Sequence, residues 1–167
     1  MNDFRPLDAK ALTNTILDWA ERDGIGISPM KLQKMVFFPH ADFLAQFGLP
    51  LVKQEFEAWD YGPVIPSLYH EFKNFGADAI TSRARAFNPF SGTTEEPRSA
   101  DLPEPLQAAL ISHYDFYKRM TAGTLSDISH SFEGAWRQAR AMFSNGLNMD
   151  RRISNDLILR FHKPVHI

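Results

Sequence analysis

The chain has 167 residues, 44% of them hydrophobic, which is enough for one domain with a substantial core and too few to expect two. Eighteen basic against twenty acidic residues give a formal net charge of -2, so bulk charge supplies no steering toward nucleic acid or anionic lipid. The absence of cysteine removes disulfides, thiolate metal sites and cysteine nucleophiles, and fits a reducing compartment.

The opening Met-Asn-Asp-Phe-Arg-Pro has no apolar segment of the kind an export signal needs, and no later stretch reaches the length that crosses a bilayer. A cytoplasmic location and no membrane partner are therefore expected. Leu7, Ala11, Leu12, Thr15, Ile16, Trp19 and Ala20 recur at spacings of three and four, with Asp8, Lys10, Asn14, Asp18 and Glu21 on the other face, which predicts one amphipathic helix. It should stop at Asp23-Gly24-Ile25-Gly26. Ser28 then suits the cap and Pro29 the first position of a second helix, whose stripe is Leu32, Met35, Val36, Phe43, Leu44 and Phe47. Pro39 interrupts it, having no amide for the Met35 carbonyl, and a kink or short break is expected there.

Gly48-Leu49-Pro50 closes this helix. Phe56, Ala58 and Asp60 alternate with Glu57, Trp59 and Tyr61 in the manner of a short strand, and Gly62-Pro63 marks a turn. Val64 to Phe75 has helical spacing, with the helix beginning at Pro63 and ending at Gly76. Residues 83–100 lose periodicity and gain turn formers, which predicts an exposed connection with a strand or hairpin around its aromatic residues. Asp101 and Glu104 suit the start of a fourth helix lined by Leu106, Leu110, His113 and Tyr117, which Met120-Thr121-Ala122-Gly123 should break. Short helices follow over Leu125–His130 and Phe132–Phe143, and a last one uses Ile153, Leu157, Ile158 and Phe161. The expected architecture is mainly α: a compact single-domain helical fold over residues 1–167 with a small β-strand or hairpin element.

Standard chemistry is not assembled by these residues. Among the six histidines only His162 and His166 stand four apart, and Pro164 between them opposes a metal-binding helix, so no metal and no cofactor are expected. Neither glycine-rich phosphate fingerprint occurs, and no Gly-x-Ser-x-Gly elbow accompanies Ser126, Asp127 and His130. His130 lies at a helix junction, where its imidazole either holds the connection through a backbone hydrogen bond or meets a partner. Trp59 and Tyr61 present large rings with polar tips beside the Gly62-Pro63 turn, serving either a core corner or an interface anchor.

Taken in order, Ser28-Pro29-Met30-Lys31-Leu32-Gln33-Lys34, Phe56-Glu57-Ala58-Trp59, Tyr61-Gly62-Pro63-Val64-Ile65-Pro66, Tyr69-His70-Glu71-Phe72, and then His130 and Trp136 resemble the Panacea domain, over about residues 8–143. This is the SocA-like and GepA-like family of bacteria and phages. Several motifs in sequence order are far more specific than any one, although relatives carry a small residue where Pro39 stands. The resemblance implies an antitoxin that neutralises a cognate protein toxin, encoded by an adjacent gene, through direct binding. It implies as an alternative a proteolytic adaptor delivering a toxin to a ClpXP-type protease; the basic run from Arg160 to Ile167 is either one tether for such an adaptor or an ordinary frayed end. Nucleic acid is not expected as a direct partner. Tyr61, Pro63, Tyr69, Glu71 and Lys73 are the candidate partner-binding residues, with Tyr61 beside the binding face and Trp59 supporting the corner from the core. Ser28, Pro29, Leu32, Gln33, Trp59, Gly62, His130 and Trp136 form the structural motif. No catalytic residue is assigned, and an enzyme using His130 with Asp127, or His70 with Glu71, is the remaining alternative.

Overall fold

The computed structural model describes residues 4–98, 102–130, 134–147 and 149–164. Its first helix, α1 (Ala9–Arg22), is opened by Asp8, whose carboxylate accepts from the Lys10 amide, and ends ahead of Gly24, which adopts φ 67°. Across the turn, Ser28 Oγ accepts from the Lys31 amide and Pro29 takes the first position of α2 (Pro29–Phe47). The helix runs unbroken through Pro39, so the expected break does not occur. Pro39 still withholds one amide, but packing on every side holds the helical path.

That packing is the organising feature. Each residue from Lys31 to Leu44 is buried, so α2 lies inside the core rather than presenting one stripe to it. Around it pack α1, α3 (Pro66–Phe72, extended by a 3-10 turn over Lys73–Phe75), α4 (Glu104–Tyr117), α5 (Ala122–Ser129) and α7 (Asn155–Phe161), while α6 (Ala135–Ser144) rests on α7. Leu12, Phe72, Leu110, Leu125 and Ile158 from the surrounding helices join Leu32, Val36 and Phe43 of α2 in one buried cluster. Phe38 stacks on Tyr117 with ring centroids 4.9 Å apart.

Five short strands complete the described fold. β1 (Phe56–Trp59) lies between β2 (Gly62–Val64) and β5 (Arg152–Ile153), all antiparallel, with Ala58 opposite Pro63 and Phe56 opposite Ile153. Two expectations change here. Pro63 is a strand residue and not the start of a helix, because the hairpin closes at Trp59 and Gly62 and the extended chain continues to Val64; α3 begins only at Pro66. Ile153 likewise pairs in β5, and α7 begins after Ser154, whose hydroxyl accepts from the Leu157 amide. A further correction concerns Ala122 and Gly123, which belong to the first turn of α5 beneath the Thr121 cap rather than to a break. The Asp101 cap and the start of a helix at Phe132 lie outside the described residues.

The connection over 83–100 carries the hairpin β3 (Ala86–Asn88) and β4 (Thr93–Glu95). It is moored by Asn14, which the helical pattern had placed on the polar face of α1 but which is fully buried. Its side-chain amide donates to the carbonyls of Ala84 and Pro97 and accepts from Ala84 N at 2.7 Å, satisfying loop groups that have no ladder partner. Arg83 and Arg98 both reach Asp18 on the same helix.

His40, buried on α2, ties the loop before β1 to α7: Nδ1 accepts from Val52 N at 3.3 Å and Nε2 meets Asn155 Oδ1 at 3.1 Å, which the neutral Nε2–H tautomer satisfies. Burial pushes its pKa from the ordinary 6.5 down to about 4. In that window the unfolded chain binds a proton that the folded chain refuses, so the stabilisation is complete above pH 6.5 and is lost as pH falls. The loss should reach about 2 kcal/mol by pH 5. Thermal melting across pH 7 to 5 should show this slope, and His40→Gln should flatten it. An equally steep slope in the variant would place the acid-sensitive group elsewhere.

Candidate partner-binding site

The β1–β2 hairpin has a two-residue tip, Asp60 and Tyr61, between the pair Trp59 and Gly62. Its backbone is gripped from two helices. Ser126 Oγ of α5 donates to the Tyr61 carbonyl at 3.0 Å, and Trp136 Nε1 of α6 donates to the Trp59 carbonyl at 2.8 Å. Arg140 of α6 adds an ion pair to Asp60 at 2.7 Å and reaches the Ala58 carbonyl. The Tyr61 side chain, by contrast, is 71% exposed, so a large aromatic group projects from a fixed backbone.

Beside the hairpin lies a concavity of about 480 Å³ between the start of α2, the hairpin and α3, lined among others by Met30, Gln33, Lys34, Trp59, Tyr61 and Tyr69. Trp59 is half-buried: its indole donates to Glu57 Oε2 at 2.7 Å and its ring meets Tyr69 edge on at 4.8 Å. A concavity of similar size, about 510 Å³, lies among α6, β5 and α7, but its walls are exposed or half-buried residues such as Met149, Arg152 and Arg160. Only the first has a buried polar floor.

Two side chains of α2 make that floor. Gln33 works as an artificial strand edge, accepting from Ile65 N at 2.8 Å and donating to Ile65 O, which fixes the corner between β2 and α3. Lys34 is fully buried and its ammonium donates to the Pro63 carbonyl at 3.3 Å. Burial pushes its pKa down to about 8. Both residues stand in a helix motif that does not by itself mark them as groove residues; the signal was the apolar run Met35 to Phe38, which leaves no solvent face for the polar neighbours.

The expected residues are distributed as follows. Tyr61, Tyr69 and Lys73 line the concavity, and Pro63 lies buried behind it with its carbonyl on Lys34. Glu71 turns the other way, pairing with Lys10 Nζ at 2.8 Å and accepting from Arg85 N. At His130 the backbone amide donates to Ser126 O and Asp127 O and holds the junction, while imidazole Nε2 is buried without a hydrogen-bond partner among the described residues and the ring stacks on Trp136 at 3.9 Å. Burial, with the charge of Lys34 adding to it, lowers the His130 pKa. Trp136 is partly buried and packs against the core. His70 is exposed at α3 and meets Tyr69 edge on.

Sequence reasoning missed a buried cluster on the far side of α2. Asp42 accepts from His113 Nε2 at 2.8 Å and from His162 Nε2 at 2.5 Å. Burial alone would raise the Asp42 carboxyl, and the two imidazoles more than offset it, leaving the pKa lowered. His162 is thereby fixed to the core, so the tether considered for Arg160 onward does not begin before Lys163; His166 and the last residues lie outside the description. Among the described residues no group of three or more histidine, aspartate or glutamate side chains is placed to hold a metal ion, and no described helix is long and apolar enough to cross a membrane.

Gly62 is the tightest point of the site. It adopts φ 106°, and a Cβ there would stand 2.5 Å from both Lys34 Cε and Ser129 Oγ. Gly62→Ala should destabilise the fold by about 1–3 kcal/mol, since it adds backbone strain to a clash with a buried lysine. Chemical denaturation checks this, and a variant of unchanged stability would show that Lys34 has room to move aside.

Comparison with known proteins bears on the same elements. The profile described as "Antitoxin SocA-like, Panacea domain" matches residues 32–137, which include Gln33 and Lys34 of the α2 floor, the hairpin, α3, and Ser126 and Trp136 of the clamp. The chain is 35% identical to Antitoxin SocA of Caulobacter vibrioides (strain NA1000 / CB15N), over 96% of this chain and 87% of that protein. No solved structure matches. With the profile covering most of the chain and this relative nearly all of it, the chain belongs to the SocA-like Panacea domain family.

Proposed function

We propose that this chain is an antitoxin that neutralises a cognate toxin by direct protein–protein binding, with the Tyr61 hairpin tip and the adjoining concavity as the contact face. The observation that carries the reading is the contrast at Tyr61: backbone tied to Ser126, side chain 71% exposed. An anchor whose backbone is already ordered loses little further entropy on binding, and tyrosine is among the residues that dominate interface energetics. Tyr69 and Lys73 extend the face along α3. The likeness to Antitoxin SocA supports a toxin as the partner. The mechanism is steric: a footprint of about 1,200–2,000 Å² in total centred on the hairpin covers the toxin's working surface.

The test is co-expression with the product of the adjacent gene, read by growth rescue and by co-purification. Neither rescue nor complex with either neighbouring product would reject the proposal. Within a complex, Tyr61→Ala should weaken binding by about 1 kcal/mol or more while leaving the melting temperature unchanged, because the side chain is exposed and the backbone contacts remain. Calorimetric affinity and thermal melting of the same preparation separate the roles. Intact affinity with a much lower melting temperature would make Tyr61 a scaffold residue.

A further inference from the structure

The charges around the concavity are unbalanced. Three cationic side chains line it, Lys34, Lys73 and Arg151, against one carboxylate, Asp60. Asp60 is already paired with Arg140, and the nearby Glu57 accepts from the Trp59 indole. None of the three cations has an ion-pair partner among the described residues. Lys34 is the extreme case, an ammonium with three donors, no exposure and the Pro63 carbonyl as its acceptor at 3.3 Å. Taking a charge out of water and leaving it unpaired is costly, and it persists in this fold at a place where the walls are aromatic and apolar. Low-dielectric walls leave its field weakly screened, so the concavity carries positive potential without the cation standing on the surface.

We infer that this concavity receives an acidic segment of the partner protein, with an Asp or Glu carboxylate drawn to its Lys34 end and an adjoining aromatic or aliphatic side chain packed among Trp59, Tyr61 and Tyr69. The inference rests on the reading of the chain as a toxin-binding protein and adds the chemistry that is recognised. The carboxylate supplies the missing counter-charge, Lys73 and Arg151 widen the favourable field at the rim, and the three rings supply apolar contact area. A nucleic acid strand would use the same cations and rings, but the chain as a whole carries a net charge of -2, which favours a short acidic peptide over a polyanion tracked along a surface.

The probe is a labelled random copolymer of glutamate and tyrosine, which presents acidic and aromatic neighbours in many local orders, titrated into the full chain at low salt by fluorescence polarisation. The wild-type chain should bind it, and bind polyglutamate more weakly. Lys34→Met, which keeps the side chain's length and removes a buried charge, and Lys73→Glu at the exposed rim should each weaken copolymer binding at least about fivefold. Should Lys34→Met fail to fold, the Lys73→Glu and Arg151→Glu variants give the result alone. No copolymer binding by the wild type, equal binding by the variants, or displacement by a single-stranded oligonucleotide at lower concentration than by free copolymer would each overturn the inference. Running the variants against the adjacent gene's product separates the two proposals. Lys34-dependent copolymer binding with no toxin complex removes the toxin reading and keeps the groove chemistry; a toxin complex indifferent to Lys34 and Lys73, with no copolymer binding, does the reverse.

Discussion

Burial of α2 on all sides is the constraint from which the rest of the structure follows. A helix inside a core has no solvent face for its polar residues, yet this one carries Lys31, Gln33, Lys34, His40 and Asp42 in its buried stretch. Each then has to find its partner in whatever packs alongside, since an unmet buried polar group costs about 1–3 kcal/mol. The partners are spread around the molecule. Lys31 reaches the Lys118 carbonyl between α4 and α5, Gln33 the Ile65 backbone, Lys34 the Pro63 carbonyl, His40 Val52 and Asn155, and Asp42 the imidazoles of His113 and His162. Apolar contacts hold these elements against α2, but they are indifferent to small slides. The polar pairs fix where each neighbour sits.

The same constraint positions the proposed contact face. Gln33 and Lys34 sit one after the other on α2 and hold successive parts of one segment, β2 and the corner into α3, so the hairpin ahead of it is anchored at its base. Ser126, Trp136 and Arg140 then clamp its tip from α5 and α6. Gly62 allows the hairpin to come within contact of the Lys34 stem, where no other residue fits. The outcome is a rigid turn that offers one exposed aromatic side chain and, adjoining it, one buried cation with no ion-pair partner among the described residues. Shape and charge at the face thus derive from the interior helix.

Much of the helical order was legible in the sequence because capping and periodicity are local. Ser28 and Gly24 mark helix ends in the sequence and do so in the structure, whereas Asp8, which the periodicity put on the polar face, is the cap of α1. Tyr61 stood out in the sequence as an aromatic residue beside the Gly62-Pro63 turn, and the structure exposes its side chain and that of Tyr69. Long-range satisfaction was not legible. Asn14 reads as a surface residue of an amphipathic helix until the 83–98 segment is seen to bring it two carbonyls and an amide. Pro63 and Ile153 read as helical until their strand partners, Ala58 and Phe56, are in view. Asp42, His113 and His162 are far apart in the chain, and no local pattern joins them. Lys34 stood in a recognised motif, but burial is a property of what surrounds a helix, and that depends on elements distant in sequence.

The central claim is that a partner is held at the face organised by the α2 floor and the clamped hairpin. Amide hydrogen exchange of the chain, free and in complex with its neighbouring gene's product, measures this most directly. The account predicts that new protection concentrates in the Asp60–Gly62 tip, the first turn of α2 and α3, with the α6–α7 surface around Met149 and Leu159 unchanged. Protection concentrated on that second surface, with the hairpin tip exchanging as in the free chain, would contradict it.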